Sequence, residues 1–159
     1  MNASVVRAEE QHIGQLVRKG LRKADSVEAR RAGATSDADA VADSFHLSTD
    51  RYAVLVDDEC IAMFGVHPIS LLAPVGMVWM LTSPEVETYW LRFSRMSKII
   101  AEKLFRRWEY LFNWVDAEHQ ESIDWLKWVG FDVSDVRVPY GPQNYPFHFF
   151  EKRGSVCAS

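Results

Sequence analysis

Hydrophobic and polar positions in the first third of the chain predict a short strand followed by helices. Residues 4–7 alternate like an edge strand, and residues 8–24 carry apolar side chains at helical spacing. Residues 25–33 are polar and predict a second helical segment that ends at a glycine. Ser36 or Asp37 is the expected N-cap of a third, small helix. The chain is therefore expected to open with one strand and a helical region.

The central third predicts a hairpin, a further strand and a long helix. Two strand-like runs, RYAVLVDD and CIAMFGVHPI, flank the acidic turn Asp57-Asp58-Glu59. GMVWMLTS supplies the next strand. Ser83-Pro84 is a typical helix start, and the helix is expected to run to about Trp108. Its predicted buried face consists of Tyr89, Phe93, Met96, Ile100 and Leu104.

The last third predicts three strands and one short helix. YLFNWVDA indicates a strand, QESIDWLKWVG a helix closed by Gly130, and DVRVPY and FHFFEKR two strands joined by the turn GPQN. This order favours an α/β fold with a mixed, mostly antiparallel sheet flanked by helices. With 159 residues and no linker or repeat, residues 1–159 are expected to form a single domain.

Composition narrows the classes of function. The chain is 48% hydrophobic and 25% charged, with a net charge of −4 and mixed signs along its length. Neither the basic footprint of a nucleic-acid binder nor a segment long enough to span a membrane is present, so neither partner is expected. Cys60 and Cys157 lack metal-ligand or redox spacing and are expected to be free thiols.

The order of elements resembles the GNAT (Gcn5-related N-acetyltransferase) fold over nearly the whole chain. The most specific local piece is VDAEHQESIDWLKWVGFDV, in which a strand leads into a helix closed by Gly130-Phe131. The resemblance implies a GNAT-like domain, and acetyl-CoA as cofactor if the domain is active.

A closer resemblance is to a small family of internal virion, or internal core, proteins of short-tailed podophages. The similar positions are Thr82-Ser83, Asn113-Trp114-Val115, Ile123, Leu126, Lys127 and Gly130. This resemblance implies a phage protein in virion morphogenesis. It also implies phage structural or assembly proteins as partners, with self-association. The expected location is the host cytoplasm during infection or the virion interior.

The cofactor site implied by the GNAT resemblance is a glycine-containing loop between strand and helix, whose N–H groups hold the pyrophosphate. Here residues 82–88 contain no glycine, Pro84 lacks an N–H, and Ser83 is expected to cap the helix. Glu85 and Glu87 would complement the helix dipole and repel a pyrophosphate. No cofactor is therefore expected.

Five residues nevertheless remain as cofactor-binding candidates around this junction. Arg92 and Arg95 follow the two glutamates on the predicted helix. They could bind a phosphate, but a simpler interpretation is that they belong to a solvated basic face of the helix. The complete set of candidates is Leu81, Thr82, Ser83, Arg92 and Arg95.

The catalytic groups implied by the resemblance are also missing. The strand at residues 77–81 has no carboxylate to act as general base, and the position of the acid tyrosine is occupied by Leu126. His67 and His119 are the remaining candidates for a base, against a structural or exposed role, because neither has a partner visible in the sequence. No metal site is predicted, since Asp57-Asp58-Glu59 fits a solvated turn.

Aromatic residues are concentrated near the C-terminus, and most are expected to form core. A helix cannot bury Trp125, Leu126, Trp128 and Val129 together against one sheet face. Interfaces are enriched in Trp and Tyr. The interface candidates are therefore Trp125, Trp128, Tyr140 and Tyr145.

The leading hypothesis from the sequence is a catalytically degenerate GNAT-like domain that acts in phage assembly through protein–protein contacts. The alternative is an active acyl-CoA-dependent N-acetyltransferase with an atypical cofactor loop. A third hypothesis is a small regulatory binder of a host protein. Binding of acetyl-CoA separates the second hypothesis from the other two.

Overall fold

A computed structural model of the chain describes residues 2–155. Within these residues the elements are β1 (Ala3–Arg7), α1 (Glu10–Lys19), α2 (Lys23–Arg31), α3 (Asp37–Leu47), β2 (Asp50–Val56), β3 (Glu59–Pro68), β4 (Val75–Thr82), a 3₁₀ turn (Pro84–Glu87), α4 (Trp90–Arg107), β5 (Tyr110–Asp116), α5 (Gln120–Val129), β6 (Asp132–Tyr140) and β7 (Tyr145–Arg153). The strands form one sheet in the order β1-β2-β3-β4-β5-β7-β6. Strands β4 and β5 pair in parallel, whereas β1 with β2, β2 with β3, β5 with β7 and β6 with β7 are antiparallel. The predicted α/β fold with a mixed, mostly antiparallel sheet is confirmed.

The described chain divides into two compact units, one formed by residues 2–67 and 78–90 and the other by residues 68–77 and 91–155. The apolar core of the first unit draws on its helices and on β2, β3 and β4. Its buried members are Ala8, Leu16, Leu21, Ala40, Val41, Phe45, Ala53, Cys60, Met63 and Leu81. That the whole chain is a single domain stays a prediction.

The core of the second unit contains a chain of edge-to-face aromatic contacts. The ring of Phe131 lies 5.2 Å from that of Phe105 on α4 and 5.1 Å from that of Phe150 on β7. Phe131 follows Gly130, whose φ of +128° is accessible to glycine at little cost. The N–H of Gly130 donates to the carbonyl of Leu126 and ends α5 at the predicted position.

The helical region after β1 differs from its prediction. The helix expected over residues 8–24 ends earlier, at Lys19, because Gly20 adopts a φ of +83° and its N–H donates to the carbonyls of Leu16 and Val17. The following helix, α2, begins at Lys23. The predicted cap of α3 is confirmed, since the Ser36 hydroxyl accepts the N–H of Asp39 at 3.0 Å.

The hairpin between β2 and β3 turns through Asp57 and Asp58. Both have positive φ, +49° and +66°, as in the two-residue turns whose twist matches that of antiparallel strands. Glu59, predicted to belong to the turn, is the first residue of β3. The Asp57 carboxylate accepts the N–H of Asn2 at 3.0 Å, and all three acidic side chains are exposed. The acidic run is thus explained by turn geometry.

Candidate functional site

The C-terminal end of β4 is buried and held by a carboxylate from α2. Leu81, Thr82 and Ser83 are 9%, 1% and 0% exposed. One oxygen of Asp25 accepts the backbone N–H of Thr82 at 2.9 Å and its hydroxyl at 2.5 Å. The other oxygen lies 3.2 Å from the guanidinium of Arg22, and both side chains of this ion pair are only 8% exposed. The strand end is therefore fixed by a buried, charged hydrogen-bond group.

The backbone groups at this strand end also have protein partners. The carbonyl of Thr82 accepts the N–H of Arg22 at 2.7 Å, and the N–H of Ser83 donates to Ile61 on β3 at 2.8 Å. The N–H groups of Thr82 and Ser83 are thus engaged, and a phosphate would have to displace these partners. The Ser83 hydroxyl, in contrast, has no hydrogen-bond partner within residues 2–155.

The junction after β4 begins a 3₁₀ turn at the predicted Ser83-Pro84, and not the long helix that the sequence predicts there. Residues 84–87 form a 3₁₀ turn, with i to i−3 bonds from Val86 to Ser83 and from Thr88 to Glu85. The Ser83 side chain makes no capping hydrogen bond, so its predicted role as side-chain cap is wrong. Val86 in this turn is completely buried, and α4 begins only at Trp90.

The two glutamates of this junction therefore lie outside α4, whose first turn contains no acidic residue. Glu85 instead accepts a hydrogen bond from Lys19 of α1 at 2.8 Å. This contact raises the pKa of the Lys19 ammonium above its usual value. The expectation that Glu85 and Glu87 complement the dipole of the long helix is wrong, because both precede that helix.

The two arginine candidates lie on α4 in the second unit, whereas Leu81, Thr82 and Ser83 lie in the first. Arg92 and Arg95 are both exposed, and their spacing of three residues places them on one face of the helix. Exposure leaves both guanidinium groups accessible to an anion. They are the members of the predicted cofactor set that solvent reaches most freely.

The two histidine candidates occupy different environments. His119 is 7% exposed at the N-cap position of α5, where its Nε2 lies 2.9 Å from the hydroxyl of Ser122. His119 thus has a partner that was not identified in the sequence, and the i to i+3 spacing of the two residues was the signal for it. His67 is half-buried near the end of β3. A catalytic role for either histidine stays a prediction.

The positions that hold the base and the acid in the GNAT pattern carry no such groups in this chain. Residues 77–81 of β4 carry no carboxylate, and Leu126 is buried in α5 at 7% exposure. Sequence reasoning overlooked Asp25, because α2 as a whole is polar and nothing local marks one of its carboxylates as buried. The only sequence signal was the spacing Arg22 to Asp25, which permits an i to i+3 ion pair.

The four interface candidates divide between helix α5 and the β6–β7 hairpin. Trp128 is 47% exposed, with the Lys98 ammonium 4.5 Å from its ring centroid. Trp125 is half-buried, and its indole N–H has no hydrogen-bond partner in the described part of the chain. Leu126 and Val129 on the same helix are buried. The expectation that this helix cannot bury all four side chains is confirmed, because Trp128 stays exposed.

The tyrosine candidates pair at the end of the hairpin, where Tyr140 of β6 lies opposite Tyr145 of β7. The ring of Tyr140 also stacks on Trp114, with centroids 4.8 Å apart and planes at 24°. Partial burial raises the pKa of the Tyr140 hydroxyl. The tyrosines thus belong to an aromatic sheet surface, whereas the tryptophans belong to a helix.

The thiol of Cys60 is free and buried in β3, and burial raises its pKa to about 12. The predicted free thiol is confirmed for Cys60. Cys157 lies outside the described residues. No helix within residues 2–155 is long and apolar enough to cross a membrane.

Comparison with solved structures identifies the fold. Spermidine N-acetyltransferase from Vibrio cholerae, in complex with CoA and spermine, matches with a TM-score of 0.71 and 10% identity over 96% of both chains. A GNAT superfamily phosphinothricin acetyltransferase from Sinorhizobium meliloti, in complex with AcCoA, matches with a TM-score of 0.70 and 15% identity over 100% of this chain and 92% of that one. Ribosomal-protein-S18-alanine N-acetyltransferase from Escherichia coli matches with a TM-score of 0.67 and 12% identity over 99% of this chain and 97% of that one.

At the level of sequence, no family model matches the chain. No curated protein matches it either. The predicted resemblance to phage internal virion proteins therefore gains no support from these comparisons. The structural matches cover nearly the whole chain, and the chain has the GNAT acetyltransferase fold.

Proposed function

We propose that this protein is an acyl-CoA-dependent N-acyltransferase. The observation that carries the proposal is the near-complete overlap with N-acetyltransferases, two of them solved with CoA or AcCoA. The opposing argument, that two glutamates fill the anion-binding end of the long helix, is weakened because both precede α4 and Glu85 pairs with Lys19. The alternative function from the sequence analysis thus becomes the preferred one.

The proposed pyrophosphate contact is the first turn of α4 and not the preceding loop. The N-terminus of a helix carries the positive end of the helix dipole, and α4 is an 18-residue helix without an acidic residue in its first turn. Arg92 and Arg95 add two accessible guanidinium groups nearby on the helix. The loop fits a phosphate poorly, since Thr82 and Ser83 donate elsewhere and Pro84 has no N–H.

When bound, acetyl-CoA would supply an activated acyl thioester for transfer to an amine. Within the chain, Asp25 would keep the end of β4 in place through its hydrogen bonds to Thr82. Because residues 77–81 carry no carboxylate, β4 offers no general base. The reaction would then depend on the neutral fraction of the amine substrate, so its rate should rise with pH up to the pKa of that amine.

Calorimetric titration with acetyl-CoA tests this proposal. The unaltered protein is expected to bind with sub-millimolar affinity, and Arg92→Gln/Arg95→Gln to bind roughly tenfold or more weakly, because charge-assisted hydrogen bonds to phosphate are lost. Lys103→Gln/Arg106→Gln is the matched control, with the same change of charge on exposed positions of the same helix. Failure of the unaltered protein to bind acetyl-CoA, together with no acetyl transfer from labelled cofactor, would refute the proposal.

A role in phage assembly is a second candidate function, and it stays a prediction. The exposed indole of Trp128 favours a contact with some protein, and the phage partner itself rests on the sequence resemblance alone. A phage that lacks this gene should produce defective particles. Particles of normal composition and infectivity would count against an assembly role without affecting the enzymatic proposal.

A further inference from the structure

The loop between β3 and β4 presents the most exposed apolar side chains of the described chain. Leu71 and Leu72 are 103% and 98% exposed, and Ile69 is 53% exposed. The hydroxyl of Ser70 accepts the N–H groups of Leu72 at 3.1 Å and Ala73 at 3.3 Å. This turn holds the loop in a defined shape. We refer to Ile69, Leu71 and Leu72 as the leucine tip.

The base of the leucine tip is attached to the segment between α4 and β5. The carbonyl of Pro74 accepts the N–H of Glu109 at 2.9 Å and of Tyr110 at 3.4 Å. Tyr110 lies opposite Arg153 in the β5–β7 ladder, and the Arg153 guanidinium is 5.2 Å from its ring centroid. The ends of α4 and β7 therefore adjoin the leucine tip within the second unit.

These two ends bring an excess of positive charge to the tip. Two segments are counted: the residues within three positions of Glu109 and Tyr110, which contact Pro74, and the end of β7 that pairs with Tyr110. Together they carry four cations and two carboxylates. The cations are Arg106, Arg107, Lys152 and Arg153, and the carboxylates are Glu109 and Glu151. Glu151 accepts the hydroxyl of Tyr110 at 2.5 Å. Asp132 of β6, which pairs with Glu151, adds a third carboxylate, so the cations exceed the carboxylates by one. We refer to Arg106, Arg107, Lys152 and Arg153 as the basic rim. The leucine tip and the basic rim thus belong to neighbouring segments of the second unit, on a chain whose net charge is −4.

The shape and charge of this surface favour a bilayer over a protein as its partner. A stable protein interface buries about 800 Å² on each side, which three side chains on a convex tip cannot supply. A bilayer needs no complementary pocket, since the apolar tip can enter the boundary between headgroups and acyl chains. Reversible membrane binding commonly combines such an insertion with basic residues that attract anionic headgroups.

We propose that the leucine tip inserts into the surface of an anionic membrane while the basic rim contacts the lipid headgroups. The expectation of no membrane partner was based on the absence of a spanning segment, and that absence does not bear on peripheral binding. The proposal is independent of acetyl-CoA binding, because none of its residues belongs to the proposed cofactor contact.

Vesicle sedimentation with the full chain tests the proposal. The protein is expected to sediment with vesicles of phosphatidylcholine mixed with phosphatidylglycerol, less with phosphatidylcholine alone, and less again as salt is raised. Leu71→Ser/Leu72→Ser should lower the binding about tenfold or more. Leu47→Ser/Val136→Ser is the matched control, because it removes two other exposed apolar side chains, and it should bind like the unaltered protein.

Three outcomes would overturn the proposal. The first is no binding of the unaltered protein to anionic vesicles at low salt. The second is equal binding by the Leu71→Ser/Leu72→Ser variant and the unaltered protein. The third is self-association in analytical ultracentrifugation that the tip variant abolishes while vesicle binding persists, because the tip would then contact a second copy. Circular dichroism on each variant verifies that the fold is retained.

Discussion

The two connections at the ends of β4 have opposite relations between polarity and burial. At the C-terminal end, Thr82 and Ser83 are polar and at most 1% exposed. At the N-terminal end, Leu71 and Leu72 are apolar and almost completely exposed. Burial at these positions is therefore decided by the partners that the fold supplies and not by the polarity of the side chain.

The buried end is stable because its polar groups are largely satisfied. Asp25 accepts two hydrogen bonds from Thr82 and pairs with Arg22, which offsets the cost of removing these groups from water. The exposed end has no comparable partner within the described residues. Exposed apolar side chains occur singly in most proteins, but a contiguous exposed group more often marks a contact surface.

Substitution at the buried end should have the largest effect on stability. Asp25→Ala removes the shared acceptor of Thr82 and a carboxylate partner of buried Arg22, so it is expected to lower the free energy of unfolding by about 3–5 kcal/mol. Urea denaturation measures the loss. The control Asp43→Ala, at an exposed position on α3, should stay within about 0.5 kcal/mol. A loss below about 1 kcal/mol for Asp25→Ala would show that the buried group contributes little.

A change of one pH unit above pH 9 should alter stability less than the loss of Asp25. Cys60 belongs to the same buried cluster as Leu81, and burial raises the pKa of its thiol from 9.0 to about 12. Between these values the unfolded chain releases a proton that the folded chain retains. The free energy of unfolding should therefore fall as pH rises from 9 to 12, by up to about 1.4 kcal/mol per unit.

The matching measurement is urea denaturation across this pH range for the unaltered protein and for Cys60→Ala. The variant should lack the contribution of Cys60, so the difference in stability between the two proteins should shrink as pH rises. Tyr110, whose pKa is also raised to about 12, is present in both proteins and cancels in the difference. A constant difference would indicate that the thiol does not titrate as expected.

The smallest effect is expected at the exposed end. Leu71→Ser/Leu72→Ser removes side chains that contact mainly solvent, so the free energy of unfolding should change by less than about 0.5 kcal/mol. Thermal and urea denaturation measure this change. A loss of several kcal/mol would mean that the leucines pack against the protein in solution, and the contrast between the two ends of β4 would disappear.

The fold could be predicted from sequence because it rests on local patterns and their order. Alternation, helical spacing and the capping residues Ser36 and Gly130 identified most elements. Predictions were wrong where a residue is fixed by a contact distant in sequence. Ser83, assigned as a cap, makes no side-chain capping bond, and its N–H donates instead to Ile61 of β3.

The candidate site was less predictable for the same reason. The absence of glycine between β4 and the next helix is visible in the sequence. The sequence does not show that a 3₁₀ turn, which contains the buried Val86, precedes α4. Asp25 is 57 residues from Thr82 along the chain, so no local pattern could connect them. The partner of His119, only three residues away, could have been predicted from helical geometry.

The sequence by itself determined the order of strands and helices and the α/β class. It also determined that the junction after β4 contains two glutamates and no glycine. Periodicity and capping act over a few residues, which is why they can be read in one dimension. Only the tertiary structure decided that the junction glutamates lie outside α4, that Asp25 binds the end of β4 and that the leucine tip faces solvent. Burial and long-range hydrogen bonds depend on which segments the fold brings together, and a sequence pattern does not record that information.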